Sequence, residues 1–252
     1  MKIIACYSNK GGVGKTATAV NLAYASAMAG NRTLLCDLDP QGASGFYFRV
    51  KPSKKLKDEA FFHDAGRIAA AIRASDYENL DLLPANLTYR DFDIFLSRMK
   101  NSRSRLKKAL KAMDSEYRVI ILDCPPNISL LSENVFKAAD KIVVPVIPTT
   151  LSVRSLEQLH EFFSAKEYSL KKILPFFSMV QQSKNLHRET MTALRKKYKR
   201  LLESYIPFST DVEKMGVHRA PLLTFAAREE AADAYRKIWD DIEKKAGIRD
   251  FL

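Results

Sequence analysis

Residues 3–9 read IIACYSN, residues 10–16 read KGGVGKT, and residues 17–23 read ATAVNLA. The first piece is apolar and strand-like, the last is helix-like, and a glycine-rich turn joins them. A strand, such a turn and a helix in that order build a loop that cradles phosphate. The glycines Gly11, Gly12 and Gly14 let the backbone curl so that successive N–H groups point inward. The start of the helix adds its partial positive charge. Lys15 is placed to reach the β- and γ-phosphates, and the Thr16 hydroxyl is placed to bind Mg²⁺. Val13 and Ala17 complete the run expected to line a nucleotide.

Residues 32–39, RTLLCDLD, read as a second buried strand ending in two acids, and Pro40-Gln41-Gly42 follows. Strand, helix, strand is a right-handed parallel unit, and ligands of such sheets bind beyond the carboxyl ends of the strands. Residues 10–16 and the pair Asp37 and Asp39 both fall there. A carboxylate near a γ-phosphate can orient or deprotonate water, and Pro40 and Gly42 make a loop able to move. Asp39 is the candidate for that work and a second candidate for the metal. Asp37 either joins the metal shell or holds the loop. Residues 117–123, YRVIILD, are a further buried strand ending in acid, with Cys124-Pro125-Pro126 next. Asp123 is expected to hold Mg²⁺ through a water.

A strict GxxxxGK[ST] pattern is broken at Asn9, and a second lysine, Lys10, precedes Gly11-Gly12. With this loop, the DLDPQG stretch at 37–42 and the VIILDCPP stretch at 119–126, the chain resembles the ParA/MinD family of deviant Walker A P-loop ATPases. It looks closest to the ParA, Soj-like branch. The resemblance spans nearly the whole chain. It implies an α/β fold of the SIMIBI type, a doubly wound, mostly parallel sheet flanked by helices, in a single domain over 1–252. It implies ATP and Mg²⁺ as cofactors and ATP hydrolysis as the reaction, with Lys10, Lys15 and Asp39 catalytic. Lys10 would cross a dimer interface to the partner's nucleotide, and Gly12 would lie where the two subunits approach closely. Pro148 and Thr149, after the strand at 141–146, match a family turn near base and ribose.

The chain has 252 residues, 41 basic and 29 acidic, for a formal charge of +12. That excess favours a polyanion, nucleic acid first and an anionic membrane second. No apolar run approaches the roughly 20 residues of a membrane span, and no secretory leader is read at the N-terminus. Cys6, Cys36 and Cys124 each sit in or beside an apolar run and read as buried thiols of a reducing cytoplasm. The expected location is a bacterial cytoplasm, associated with the nucleoid, the gene chromosomal or plasmid-borne.

Other stretches are read more coarsely. Lys51, Lys54, Lys55 and Lys57 crowd an exposed connection within 45–66. A short helix is expected over 67–74 and a strand over 80–84. A long helical pattern covers 87–113, its last part very basic, with Asn101-Ser102 able to break it. A basic amphipathic helix is predicted over 185–204, with Leu186, Thr190, Leu194, Tyr198, Leu201 and Leu202 on its apolar side. Arg188, Arg195, Lys196, Lys199 and Arg200 on the other side suit a phosphate backbone without base reading. Asp211 stands where many ParA proteins carry a DNA-binding arginine, so Lys214 and Arg219 join the DNA candidates. The last helix, 226–245, is expected to pack on the core and not to anchor a membrane.

The resemblance implies an ATP-dependent homodimer that binds non-specific double-stranded DNA and segregates or positions DNA or another large cargo. A ParB-like or cargo-adaptor protein would stimulate hydrolysis. A MinD-like membrane ATPase and a metal-cluster carrier on the same fold are the alternatives.

Overall fold

A computed structural model describes residues 1–53, 56 and 60–248. Eight strands form one sheet: β1 (Lys2–Cys6), β2 (Thr33–Asp37), β3 (Arg73–Ala74), β4 (Leu80–Leu83), β5 (Val119–Asp123), β6 (Lys141–Val146), β7 (Ile173–Val180) and β8 (Tyr205–Pro207). Their spatial order is β3-β4-β2-β5-β1-β6-β7-β8. Every pairing is parallel except β3 against β4, an antiparallel edge.

The helices are α1 (Lys15–Met28), α2 (Ala43–Tyr47), α3 (Ala60–His63), α4 (Ala65–Ala71), α5 (Phe92–Ser97), α6 (Arg105–Lys111), α7 (Leu130–Ala138), α8 (Thr150–Ala165), α9 (Asn185–Lys197), α10 (Thr210–His218), α11 (Leu222–Phe225) and α12 (Glu230–Ala246). The central strands are apolar on both faces because helices cover both. In β1, Ile3 and Ala5 enter one core, and Ile4 and Cys6 enter the other. In β5, Ile120 and Leu122 part from Val119 and Ile121 in the same way. The first core takes side chains from α3 to α9, and the second from α1, α10, α11 and α12. This two-sided winding is the expected doubly wound architecture.

Several helical expectations are corrected. Residues 87–113 are not one helix. A 3₁₀ turn, Leu87–Asp91, starts where the Asn86 side chain accepts from the Thr88 amide. After α5 the chain breaks at Asn101, whose φ of 55° a helix does not allow. The Arg105 side chain donates to the stranded Lys100 carbonyl at 2.8 Å, and α6 follows. The helix at 67–74 lies earlier, at Ala65–Ala71, because Asp64 caps it by accepting from the Arg67 amide. The helix predicted over 185–204 ends at Lys197, and its buried side is His187, Met191 and Leu194. Leu186 is exposed, at 52%. Tyr198 leaves helical geometry and sets its ring 4.8 Å from that of His160, and the Leu202 amide donates to the Pro175 carbonyl of β7. The final helix starts at Glu230, not at 226. Across 43–66, α2 and α3 are helices where a connection was expected, Lys51 is exposed, and Lys54, Lys55 and Lys57 lie outside the described residues.

Candidate functional site

The carboxyl ends of β2, β5 and β1 are neighbours, and their register aligns Asp123 with Asp37 on one side and Cys6 on the other. The loop after β1 crosses this end of the sheet. Gly12 and Gly14 have φ of +71° and +89°, a region that other residues enter at a cost. Gly14 serves as the residue before α1, and a Cβ there would sit 3.3 Å from Ser178 Oγ. The end of β7 therefore flanks the loop, and Met179 beside it has a positive φ of 54°.

Lys15 is buried, and its Nζ donates to the Lys10 carbonyl across the loop at 3.4 Å. Burial pulls its ammonium below the usual lysine range, and the charges of Asp123 and Asp39 oppose that pull. Gly11 and Gly12 are exposed, and Lys10 and Thr16 are half-buried. Asp123 is fully buried. Its Oδ2 accepts from the Ser44 hydroxyl at 2.8 Å, while its Oδ1 is buried without a partner. Burial raises the pKa of Asp123, against hydrogen bonding from Ser44 and Thr16. Asp37 is raised by burial and by the nearby Asp123.

Asp37 faces its own chain. Its Oδ1 accepts from the Asp39 amide and its Oδ2 from the Ser44 amide, both at 3.0 Å. Of the two readings open for Asp37, this geometry displays the loop-holding one. Asp39 is half-buried and accepts from the Gln41 amide at 3.0 Å. Gly42, with φ of +65°, then turns the chain into α2.

A buried, unpartnered carboxylate oxygen beside a hydroxyl and a phosphate loop is the donor set that a small hard cation needs. Mg²⁺ takes few protein ligands and fills its shell with water and phosphate oxygens. Thr16 and Asp123 thus fit Mg²⁺. Among the described residues no group of three or more His, Cys, Asp or Glu side chains is arranged as a metal site. Cys6, Cys36 and Cys124 are fully buried thiols, their pKa values raised first by that burial.

Pro148 and Thr149 stand at the same sheet edge, just after β6, with Pro148 buried and Thr149 preceding α8. Three contacts around the loop escaped the sequence reading. Ser44 ties α2 to both Asp37 and Asp123; Asn9 donates to Gln158 of α8 at 3.2 Å; Tyr7 donates to the Asn127 carbonyl at 3.1 Å. Only Ser44 carried a signal, as the first hydroxyl after the DPQG turn.

The DNA candidates divide between elements. Arg188, Arg195 and Lys196 lie on α9, Lys199 and Arg200 beyond its end, Lys214 on α10, and Arg219 caps α10. Arg188 donates to the Gln182 carbonyl at 2.6 Å and Arg195 to the Glu203 carbonyl at 3.0 Å. Lys214 pairs with Asp211 at 2.8 Å. Asp211 lies in the first turn of α10, where a negative charge suits the helix dipole. This accounts for an acid at that position.

Among the described residues no helix is long and apolar enough to cross a membrane. The apolar face of α12, including Tyr235, Ile238, Trp239 and Ile242, is buried in the second core.

Residues 1–176 match the AAA domain family. The chain is 32% identical over 241 residues to the sporulation initiation inhibitor protein Soj of Bacillus subtilis, covering 93% of this chain and 95% of that one. It is 28% identical over 250 residues to the chromosome partitioning protein ParA of Myxococcus xanthus, covering 96% and 88%. Among solved structures, it is similar to cobyrinic acid a,c-diamide synthase from Mycobacterium smegmatis with bound ADP and magnesium, at 26% identity and a TM-score of 0.79, covering 98% and 96%. With that loop, those strand-end acids and these relatives, the chain belongs to the ParA/MinD family of P-loop ATPases, close to ParA.

Proposed function

We propose that this chain, acting as one domain, is a Mg-ATP-dependent ATPase. It dimerises on ATP, binds non-specific duplex DNA in that state, and segregates or positions DNA or another large cargo. The observation that carries this reading is the convergence of Lys15, Asp123 and Asp39 on one loop mouth, with a buried Asp123 oxygen left unpartnered. Lys15 neutralises β- and γ-phosphate charge, and Lys10 supplies a second cation across the dimer. Asp39 accepts a hydrogen bond from the attacking water and orients it. Thr16, and Asp123 through a water, would hold Mg²⁺, which when bound supplies positive charge at the phosphate oxygens. Catalysis of this type is positioning and electrostatics.

A formal charge of +12 and the cations of α9 support a DNA partner. The burial of the α12 apolar face favours this reading over a membrane-bound one. By analogy with the ParA relatives, a ParB-like or adaptor protein on the cargo stimulates hydrolysis.

The test is binding of an Asp39→Ala variant to random-sequence duplex DNA with ATP, with ADP and without nucleotide, over a range of salt. Tight, salt-sensitive binding with ATP alone is expected. ATP-dependent dimers that bind DNA in no state would overturn the DNA-carrier reading.

A further inference from the structure

The five-residue helix α2 is held at both ends. At its start, the Ser44 amide donates to Asp37 and the Ser44 hydroxyl to Asp123, the carboxylate that fits the metal. At its far end, the Phe46 carbonyl accepts from Arg219 Nε at 3.1 Å, and the Arg219 guanidinium lies over the Phe46 ring, 4.6 Å from its centroid. Arg49, two residues beyond the helix, donates to the His218 carbonyl at 2.9 Å. The His218 ring stacks on Phe225, 4.0 Å between centroids. Two arginines thus bind α2 to the C-terminus of α10 in a reciprocal clasp.

We infer that α2 is a lever, coupling occupation of the nucleotide site to the release of Arg49 and Arg219 for an anionic partner. The inference rests on the proposed DNA-binding function for the identity of that partner. Asp123 Oδ2 holds the Ser44 hydroxyl in this structure, and a cation drawn to the free Oδ1 withdraws charge from the same carboxylate and weakens the Ser44 bond. Asp39, three residues before the Gly42 turn into α2, lies on the same segment. Any shift at Ser44 is carried along the helix, a rise of about 3 Å, to the Phe46 carbonyl and ring. Arg49 and Arg219 themselves sit at positive φ, 58° and 50°. That conformation disfavours a residue with a β-carbon, so the clasp contacts hold a backbone that relaxes when they open. In the clasped form both guanidiniums are engaged with backbone carbonyls and so are poorer phosphate ligands. This gives Arg219 a place in nucleotide control that its position on α10 alone does not.

Hydrogen–deuterium exchange of the full chain, with and without Mg-ATP, reads the lever directly. The reporting amides are Arg49 and Val50 on one side and Arg219 on the other, which donate to the carbonyls of Phe46, Gly45 and Met215. Faster exchange at all three on adding Mg-ATP is expected, and Ser44→Ala is expected to uncouple Arg219 from the response. A response at 49–50 with none at 219 overturns the lever. Phe46→Ala, at a half-exposed ring, supplies the second reading. It is expected to narrow the ratio of DNA affinities with and without ATP by about fivefold, mainly by strengthening nucleotide-free binding. An unchanged ratio overturns the lever. Coupled exchange without DNA binding in any state supports the lever and overturns the DNA-carrier function instead.

Discussion

Asp123 places a carboxylate where burial alone would forbid one. It is fully buried, one of its oxygens has no partner, the charge of Asp39 adds to the rise of its pKa, and its own charge raises that of Asp37. The charges of Asp123 and Asp39 act on one buried ammonium, Lys15, while Asp37 lies beside Asp123 and faces its own loop. A carboxyl whose folded pKa is raised keeps its proton in the folded chain after the unfolded chain has lost it. Stability then falls as pH rises from the ordinary carboxylate range through the folded value. Asp123→Asn removes that loss and can still bond to Ser44. It should stabilise the nucleotide-free protein at pH 8 by roughly 1–3 kcal/mol, the usual cost of an unsatisfied buried polar group. The gap should shrink as pH falls toward 4. Thermal melts across pH would show it, and in the same melts the variant should gain nothing from Mg-ATP beyond ATP alone. Asp123 was legible in sequence because an acid at the end of an apolar strand is a charge that the interior otherwise excludes. The position of Ser44 after the DPQG turn marked it, but its bond to Asp123 was not legible, because a separation of 79 residues hides a contact that the β2–β5 register brings about.

Among the elements, α9 separates a core role from a surface one. His187, Met191 and Leu194 face the protein, and Lys196 and the following Lys199 are exposed. A Lys196→Ala/Lys199→Ala double variant should melt like the parent, since neither side chain enters the core. Its DNA affinity should fall, and the slope of log affinity against log salt should drop by about 2, one unit per phosphate contact. An unchanged slope would show that these lysines are merely solvated. The apolar spacing predicted a helix here, and Leu194 was rightly placed inside. Its length was overread because Tyr198, Leu201 and Leu202 continue an apolar pattern after the backbone has turned toward β8. The pattern at 87–113 misled in the same way. Periodicity reports which side chains meet the core, not whether one helix carries them all, and Asn101 breaks the chain at a point where the spacing alone shows no gap.

For the whole molecule, the central parallel strands, the loop after β1 and the acids at the strand ends could be read from three short stretches, because each pairs an apolar run with an unusual turn. The strand order and the α2–α10 clasp could not, since both are long-range pairings. The proposed dimerisation is the property of the whole that is easiest to break. A Cβ on Gly12 would meet nothing within 4 Å in this chain, so the space beside it is free for a partner. Gly12→Asn tolerates the positive φ better than most residues. It should cost the monomer less than about tenfold in ATP affinity and abolish ATP-dependent dimers in size-exclusion chromatography. ATP-dependent dimers of normal stability would move the interface elsewhere. The register of β2 and β5 has one more consequence. Asp123 is fixed by backbone pairing in the middle of the sheet, whereas Asp39 hangs on a turn between Asp37 and Gly42. In the proposed mechanism, grip and clock are therefore housed in different material, one set by sheet pairing and one by a turn. On that reading, selection can retime such a protein through Pro40, Gln41 and Gly42 while leaving its hold on nucleotide untouched, and one chassis can be set to cargoes that need very different dwell times.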